Sequence, residues 1–458
     1  MRILLISLSV LFAHISSGQQ ESGTYLMHDE LYQASFLNPA FMPEKDVYSV
    51  SSLYFNFTHN GFALKHLLTP KEDGGGIRDD SLIINIQNAI YHMKEKNNFL
   101  SFHFNYDVFG VKIKKWGHYF GLSLHERVSL VINYPKDFMD IALTGNGSQI
   151  GQRADMGLNL KGLHYRELAF SFMSHQELSE AETLSFGGRF KTLFGVGIAQ
   201  TTKSDAFFTT QDSFLHLKAE ADYQVDMSGV NTVMDDPLAY ALNMKNFGVG
   251  LDLGFDYYNS YSQVSISGSL LDVGFIGWRT DPVNYKTQGE FSFEGFDLTN
   301  YLKGDSVEFS SAADGIIDTL AERFAVEETN TPFRTGLLPR HYLSIAYKLQ
   351  EKSKLTFLLY GDFYKGYRPN FTIGYNQIAG NFMHLGVHYS IKNRSFNNVG
   401  GSLALKTGPV QFYIMTDNFM GFIFPYSLKT FNLRMGLNVL FSTTKKRFEP
   451  KFKKSMEW

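Results

Sequence analysis

Residues Thr430 to Ser442 (TFNLRMGLNVLFS) constrain the fold more than any other stretch of this chain. Phe431, Leu433, Met435, Leu437, Val439 and Phe441 share one parity, while Asn432, Arg434, Gly436 and Asn438 share the other; only Leu440 breaks the rule. Successive side chains of a β-strand point to opposite faces, so this segment has one apolar and one polar face. Arg and Asn opposite an unbroken apolar row suit a strand with lipid outside and a wet lumen inside. The stretch predicts a transmembrane antiparallel up-and-down β-barrel.

The same alternation recurs. Leu100, Phe102, Phe104, Tyr106 and Val108 interleave with Ser101, His103, Asn105 and Asp107. Val249 to Tyr257 interleave with Gly250, Asp252, Gly254 and Asp256, and Met383 to Ile391 with His384, Gly386 and His388. Segments of ~10 residues match a tilted bilayer crossing. Strands are predicted at 47–58, 98–114, 118–134, 156–174, 183–202, 206–226, 246–258, 262–276 and 283–294. Seven more follow at 339–349, 354–364, 368–377, 381–391, 396–407, 409–417 and 429–442. Single-chain bacterial barrels have even strand numbers, which places the wall at 14 to 16, about 14.

The first residues read as a secretory signal: Arg2, the apolar run Ile3 to Phe12, then Ser16 and Gly18 before a cut. Ten apolar residues are too few for a helical span, which needs ~20. The chain has no cysteine, so neither a lipid anchor on Cys nor a disulfide is available. Aromatics make up 15% of residues, with 40 Gly against 12 Pro, which suits long strands and interfacial aromatic girdles. A large soluble secreted β-sandwich shares that composition and is the alternative fold. The net charge of −3 gives no reason to invoke nucleic acid.

Three insertions carry a helical signal: Asp79 to Asn97, capped by Asp80 or Ser81 with Leu82, Ile86, Ile90 and Met93 on one face; Pro135 to Leu143; and Ser310 to Glu328. If the N-terminus begins on the periplasmic side, strand parity puts all three on the extracellular side. The segment Asn418 to Leu428 is unusually apolar for a loop, and suits the barrel mouth, a hydrophobic ligand or lipid headgroups.

Catalytic and nucleotide-binding motifs are missing from the sequence, so neither an enzyme nor a cofactor is expected. His384 and His388 have the spacing of a helical metal pair, but on a strand they lie ~13 Å apart, so no metal is expected. Both read as lumen-lining residues, as do His103, Asp107, His125, Asp252 and Asp256. Glu167 also points inward if Leu168, Phe170 and Phe172 face lipid, and a buried carboxylate there calls for a lumen Arg or Lys. Asn38-Pro39-Ala40-Phe41 favours a tight turn ahead of the first strand.

Taken in order, LNPAF at Leu37–Phe41, YPKD at Tyr134–Asp137, YREL at Tyr165–Leu168, FGGRFKTLFG at Phe186–Gly195 and the closing NLRMGLNVLF form a pattern. The pattern resembles a Bacteroidetes family of exported proteins of unknown function. That family is similar to FadL-type barrels and to the PorV and PorP/SprF proteins of type IX secretion. The triplet Asn38-Pro39-Ala40 matches the NPA of FadL-like barrels, although Phe41 replaces their usual Gly and is closer to the PorP-like NPAY. The resemblance implies a 14-stranded barrel in the cell outer membrane, with the N-terminal segment as a plug in the lumen. It also makes Arg434, Gly436, Val439 and Phe441 similar to the signal by which barrel-assembly machinery recognises its clients.

The predicted organisation is therefore a signal peptide at 1–18, a plug or hatch at 19–46, an outer-membrane barrel at 47–442 and a basic periplasmic tail at 443–458. Its expected partners are outer-membrane lipid and the assembly machinery. Two functions stay open. One is FadL-like passage of hydrophobic small molecules; the other is a structural barrel scaffolding a secretion or gliding apparatus. An apolar lumen favours the first, and a lumen crossed by charge pairs favours the second.

Overall fold

A computed structural model describes residues 21–41, 45–72, 78–211, 216–230, 232, 236–293, 324, 326–363, 368–392, 395–423, 425–427 and 429–441. Fourteen strands form its wall. They are β1 (Asp46–His59), β2 (Asn98–Lys115), β3 (His118–Tyr134), β4 (Asn159–Glu177), β5 (Glu182–Thr210), β6 (Asn246–Asn259) and β7 (Val264–Trp278). The second half contains β8 (Arg340–Gln350), β9 (Ser353–Asp362), β10 (Arg368–Ala379), β11 (Met383–Lys392), β12 (Ser395–Thr407), β13 (Val410–Thr416) and β14 (Thr430–Phe441). Each pairs antiparallel with its neighbours in sequence, and β1 closes the ring on β14 from Asp46↔Phe441 to Thr58↔Thr430. Closure leaves no unpaired wall edge.

Register shows the two faces. Ile345, Phe357, Ile373 and Tyr389 pair in one row across β8 to β11 and are 37–55% exposed on the outside. One residue along, Ser344, Leu358, Thr372 and Ser390 form the inward row, each at most 5% exposed. β14 obeys the predicted parity: Asn432, Arg434 and Asn438 are buried inward and Phe441 is exposed. The exception, Leu440, has a physical reason. It points inward where Tyr32 and Phe36 of the N-terminal segment supply an apolar contact, together with Val47.

The turns after β2, β4, β6, β8, β10 and β12 are short and lie at one end, with the start of β1 and the end of β14. Trp116 and Gly117 both have positive φ, as a two-residue type I′ hairpin turn requires. Excursions after β1, β3, β5, β7 and β13 lie at the other end, the usual asymmetry of outer-membrane barrels.

Of the sixteen predicted strands, two stand off the wall. The upper half of β5 pairs with Leu217–Ser228, which pairs with Pro282–Phe293, and that strand carries Glu327–Thr329. Alternation alone does not distinguish such a sheet from the wall, because both have two unlike faces. The insertion at 79–97 is not one helix. Arg78–Ile84 forms a hairpin with Leu68–Glu72, and only Ile86–Tyr91 is helical. Asn85 caps that helix by accepting from the Asn88 N–H at 2.9 Å, in place of Asp80 or Ser81. Lys136–Thr144 is helical, close to the predicted turn. In the apolar loop, Ile423 and Tyr426 are exposed, and Pro425–Ser427 packs on Leu64–Leu67. The signal segment, the basic tail and almost all of the predicted helix at 310–328 lie outside the described residues.

Candidate functional site

The residues from Glu21 to Phe41 run inside the barrel, with a helical turn at Ser22–Leu26 and a 3-10 turn at Tyr32–Phe36. Such short turns cannot hold themselves in water, so the wall holds them. Asp417 accepts from the N–H groups of Ser22 (3.3 Å) and Gly23 (2.9 Å). Tyr25 stacks on Tyr342 with centroids 5.1 Å apart, and its hydroxyl lies 2.8 Å from Ser267 Oγ. Gln33 donates to Ser49 and Asn438. Arg189 donates to the carbonyls of Ser35 (2.6 Å) and Phe36 (3.3 Å).

The Asn38-Pro39-Ala40 turn fits against two glycines. Asn38 Oδ1 accepts from the Ala40 N–H at 2.9 Å, and its Nδ2 donates to the Phe255 carbonyl at 3.0 Å. A Cβ on Gly187 would sit 2.1 Å from the Pro39 carbonyl, and one on Gly254 2.0 Å from Asn38 Oδ1. Phe41 turns back to stack on His28, with centroids 4.2 Å apart.

Beside this segment, a layer of ion pairs spans β3 to β8. Glu167 is buried between Arg127 (3.6 Å) and Lys191 (3.7 Å), which are the lumen cations its position called for. Lys191 also meets Asp252 at 2.8 Å and Asp272 at 2.6 Å, and Arg340 meets Asp272 at 2.8 Å. A second group joins Glu21, Arg434, Asp107 and His125, the last pair at 2.6 Å. Leaving one member of a buried pair uncompensated costs about 3–5 kcal/mol.

Level with Arg127 and Arg340 lies a cavity of about 80 Å³, lined also by His103, Leu163, Tyr165 and Leu337. The His103 Nε2 that lines it is buried with no hydrogen-bond partner. One flank is apolar: Leu163 and Leu337 belong equally to a buried cluster with Leu193, Ile198, Ile276 and Trp278. The site thus pairs a charged side with an oily flank.

His103, Asp107, His125, Glu167, Asp252, His384 and His388 are all buried, and Asp256 is half-buried, level with Ser185 and Ser267. They do not share one centre. His388 binds Asp417 (3.1 Å) and His384 lies 3.5 Å from Glu30, whereas Asp252 joins Lys191. Among the described residues no cluster of metal-ligating side chains forms. Arg434 and Gly436 face the lumen, while Val439 and Phe441 face outward. Sequence reasoning missed Arg189, Lys191, Asp272 and Arg340 as site residues. Arg189 and Lys191 were visible as charges alternating with Phe186 and Phe190; Asp272 and Arg340 meet only because the sheet brings β7 and β8 together.

A family model described as "Family of unknown function (DUF5723)" matches residues 39–417. No curated protein matches the chain. Among solved structures, the toluene transporter TodX of Pseudomonas putida is 10% identical, covers 90% of this chain and 95% of its own, and has a TM-score of 0.41. The toluene transporter TbuX of Ralstonia pickettii is 9% identical over 90% and 95%, with a TM-score of 0.42. A FadL homologue of Pseudomonas aeruginosa is 10% identical over 89% and 93%, with a TM-score of 0.39.

Proposed function

The chain belongs to this family of unknown function, and we propose that it is an outer-membrane barrel for hydrophobic small molecules, plugged by its own N-terminal segment. One observation carries the reading: the cavity shares Leu163 and Leu337 with the apolar cluster. An apolar guest is favoured by that flank, at about 25 cal/mol per Å² of apolar surface buried. It is repelled by the ion-pair layer, where it would strip charges of their partners. Entry from the long-excursion end followed by sideways exit into the bilayer is then easier than a straight crossing.

The test is transfer of the apolar fluorophore N-phenyl-1-naphthylamine into liposomes containing the full barrel. Faster transfer than in empty liposomes, accelerated further by deleting residues 21–41, is the expected result. If neither protein exceeds empty liposomes, the reading fails.

The ion-pair layer specifically favours a second reading, a closed barrel that anchors a secretion or gliding apparatus. That reading predicts no transfer by either protein and co-purification of a defined partner from outer membranes.

A further inference from the structure

Beneath the turn Tyr32–Phe36 the wall holds three buried polar side chains in sequence. Asp107 of β2 stands opposite His125 of β3, and Ser123 lies two residues from His125 on the same inward face. The His125 Nδ1–H donates to the Asp107 carboxylate at 2.6 Å, which leaves Nε2 to accept from the Ser123 hydroxyl at 2.8 Å. A bulge follows Asp107, where the register moves on to Phe109↔Leu124, and bulges re-aim the side chains beside them. Arg434 fixes the second Asp107 oxygen. A serine, an imidazole placed to take its proton and a carboxylate that orients the imidazole are the parts of an acyl-transfer nucleophile.

The surroundings of Ser123 supply space and a donor. Its inward neighbours carry no bulk: Gly110 and Ala169 face it across the two ladders, and Gly121 precedes it by two residues. The N-terminal segment fills the room this leaves. A Cβ on Gly110 would meet the Tyr32 ring at 2.7 Å, and the Phe36 ring stands edge-on to His125 with centroids 4.6 Å apart.

The backbone of the same turn is held by Arg189. Its Nη2 donates to the Ser35 carbonyl at 2.6 Å and its Nη1 to the Phe36 carbonyl at 3.3 Å. Its Nε donates to Ser171 at 3.0 Å, and Ser171 pairs with Gly121, which anchors the guanidinium beside the Ser123 row. A cationic donor that already binds carbonyl oxygens is suited to an oxyanion. Lifting the turn frees those N–H groups and uncovers Val47 and Leu440, the wall members of the apolar cluster with Tyr32 and Phe36.

We propose that Ser123, His125 and Asp107 form a latent hydrolase site for carboxylic esters of apolar acyl chains, inhibited by the turn Tyr32–Phe36 that occupies it. Ser123 Oγ attacks the ester carbonyl carbon while His125 Nε2 takes the hydroxyl proton. Arg189 holds the oxyanion, and the acyl chain lies along Val47 and Leu440. Collapse breaks the bond to the alcohol oxygen, which leaves with the proton from His125. Water, giving its proton to His125, then attacks the acyl-serine; the carboxylic acid departs and Ser123 regains its proton. One ester and one water thus yield one acid and one alcohol. Asp107 acts as a positioning residue by holding the imidazole tautomer.

The test uses a fluorophosphonate, which phosphonylates an activated serine, and p-nitrophenyl butyrate as the ester. The full chain is compared in detergent with Phe36→Ala and with the chain lacking residues 21–41, heat-modifiable migration reporting that each barrel is folded. Opened barrels should be labelled at Ser123 and release p-nitrophenol faster than the full chain. Ser123→Ala in the opened barrel should lose both signals. His125→Phe should lower both about 10²–10⁴-fold, the range for general-base assistance. Asp107→Asn should lower kcat for the ester and leave KM, because Asp107 acts through His125 and touches no substrate. Folded barrels that stay unlabelled in both opened forms, labelling that persists in Ser123→Ala, or labelling without ester hydrolysis each overturn the proposal. N-phenyl-1-naphthylamine transfer enters none of these outcomes, so the passage reading stands or falls separately.

Discussion

Arg434, on the last wall strand, binds Glu21 of the N-terminal segment across 413 residues of sequence. Its other side holds Asp107 of β2. One guanidinium therefore pairs with two buried carboxylates, and the three residues come from three separate parts of the chain.

Replacing it takes the cation from both acids and leaves Asp107 only its contact with His125. Arg434→Met should cost about 3–5 kcal/mol, the range for breaking a buried pair, read as a lower midpoint of heat-modifiable migration in detergent. The triple variant Glu21→Gln, Asp107→Asn, Arg434→Met should recover part of the loss. No recovery would show that shape rather than charge dominates there.

Leu440 tests the apolar contact with Tyr32 and Phe36. Leu440→Ala should cost about 2–5 kcal/mol as a buried large-to-small change. Proteolysis within residues 21–41 should speed up while the wall stays intact, and unchanged cleavage would remove Leu440 from the seating contact.

Gly187 has no space for a side chain beside the Pro39 carbonyl. Gly187→Ala should therefore dislodge the Asn38-Pro39-Ala40 turn, giving a conductance rise in planar bilayers. Ala at Gly147, which faces open space, is the control and should leave conductance alone.

His66 lies in the excursion after β1, where its ring stacks on His92 with centroids 3.7 Å apart. Burial, then His92, Lys65 and Lys429, push its pKa from 6.5 down to about 4. The folded excursion favours neutral His66, so its stabilisation is complete above about pH 6.5 and is lost as pH falls towards 4. The protection of Leu64–Leu67 against hydrogen exchange, taken relative to the intrinsic rate at each pH, should fall over that window. His66→Phe, which keeps the stack, should abolish the fall.

Most of the wall was legible because lipid and water impose opposite demands on alternate residues, as in Phe431 to Phe441. The wall has the expected fourteen strands, but which segments form it was less legible: Leu217–Ser228 and Pro282–Phe293 alternate as wall strands do but pair above the rim. The need for a cation near Glu167 followed from one residue's burial, but the identity of Lys191 did not. That choice is made by the register Ala169↔Lys191 and by the neighbours it brings.

The inner segment's contacts have a chronological consequence. Asp417, Arg434, Asn438 and Leu440 all belong to the last part of the chain, and each touches the first part. The segment Glu21–Phe41 can complete these contacts only once β14 has arrived. A fully seated segment therefore marks a barrel that has its last strand, whereas one stalled a strand short would still hold it by Arg189, Tyr342 and the two glycines.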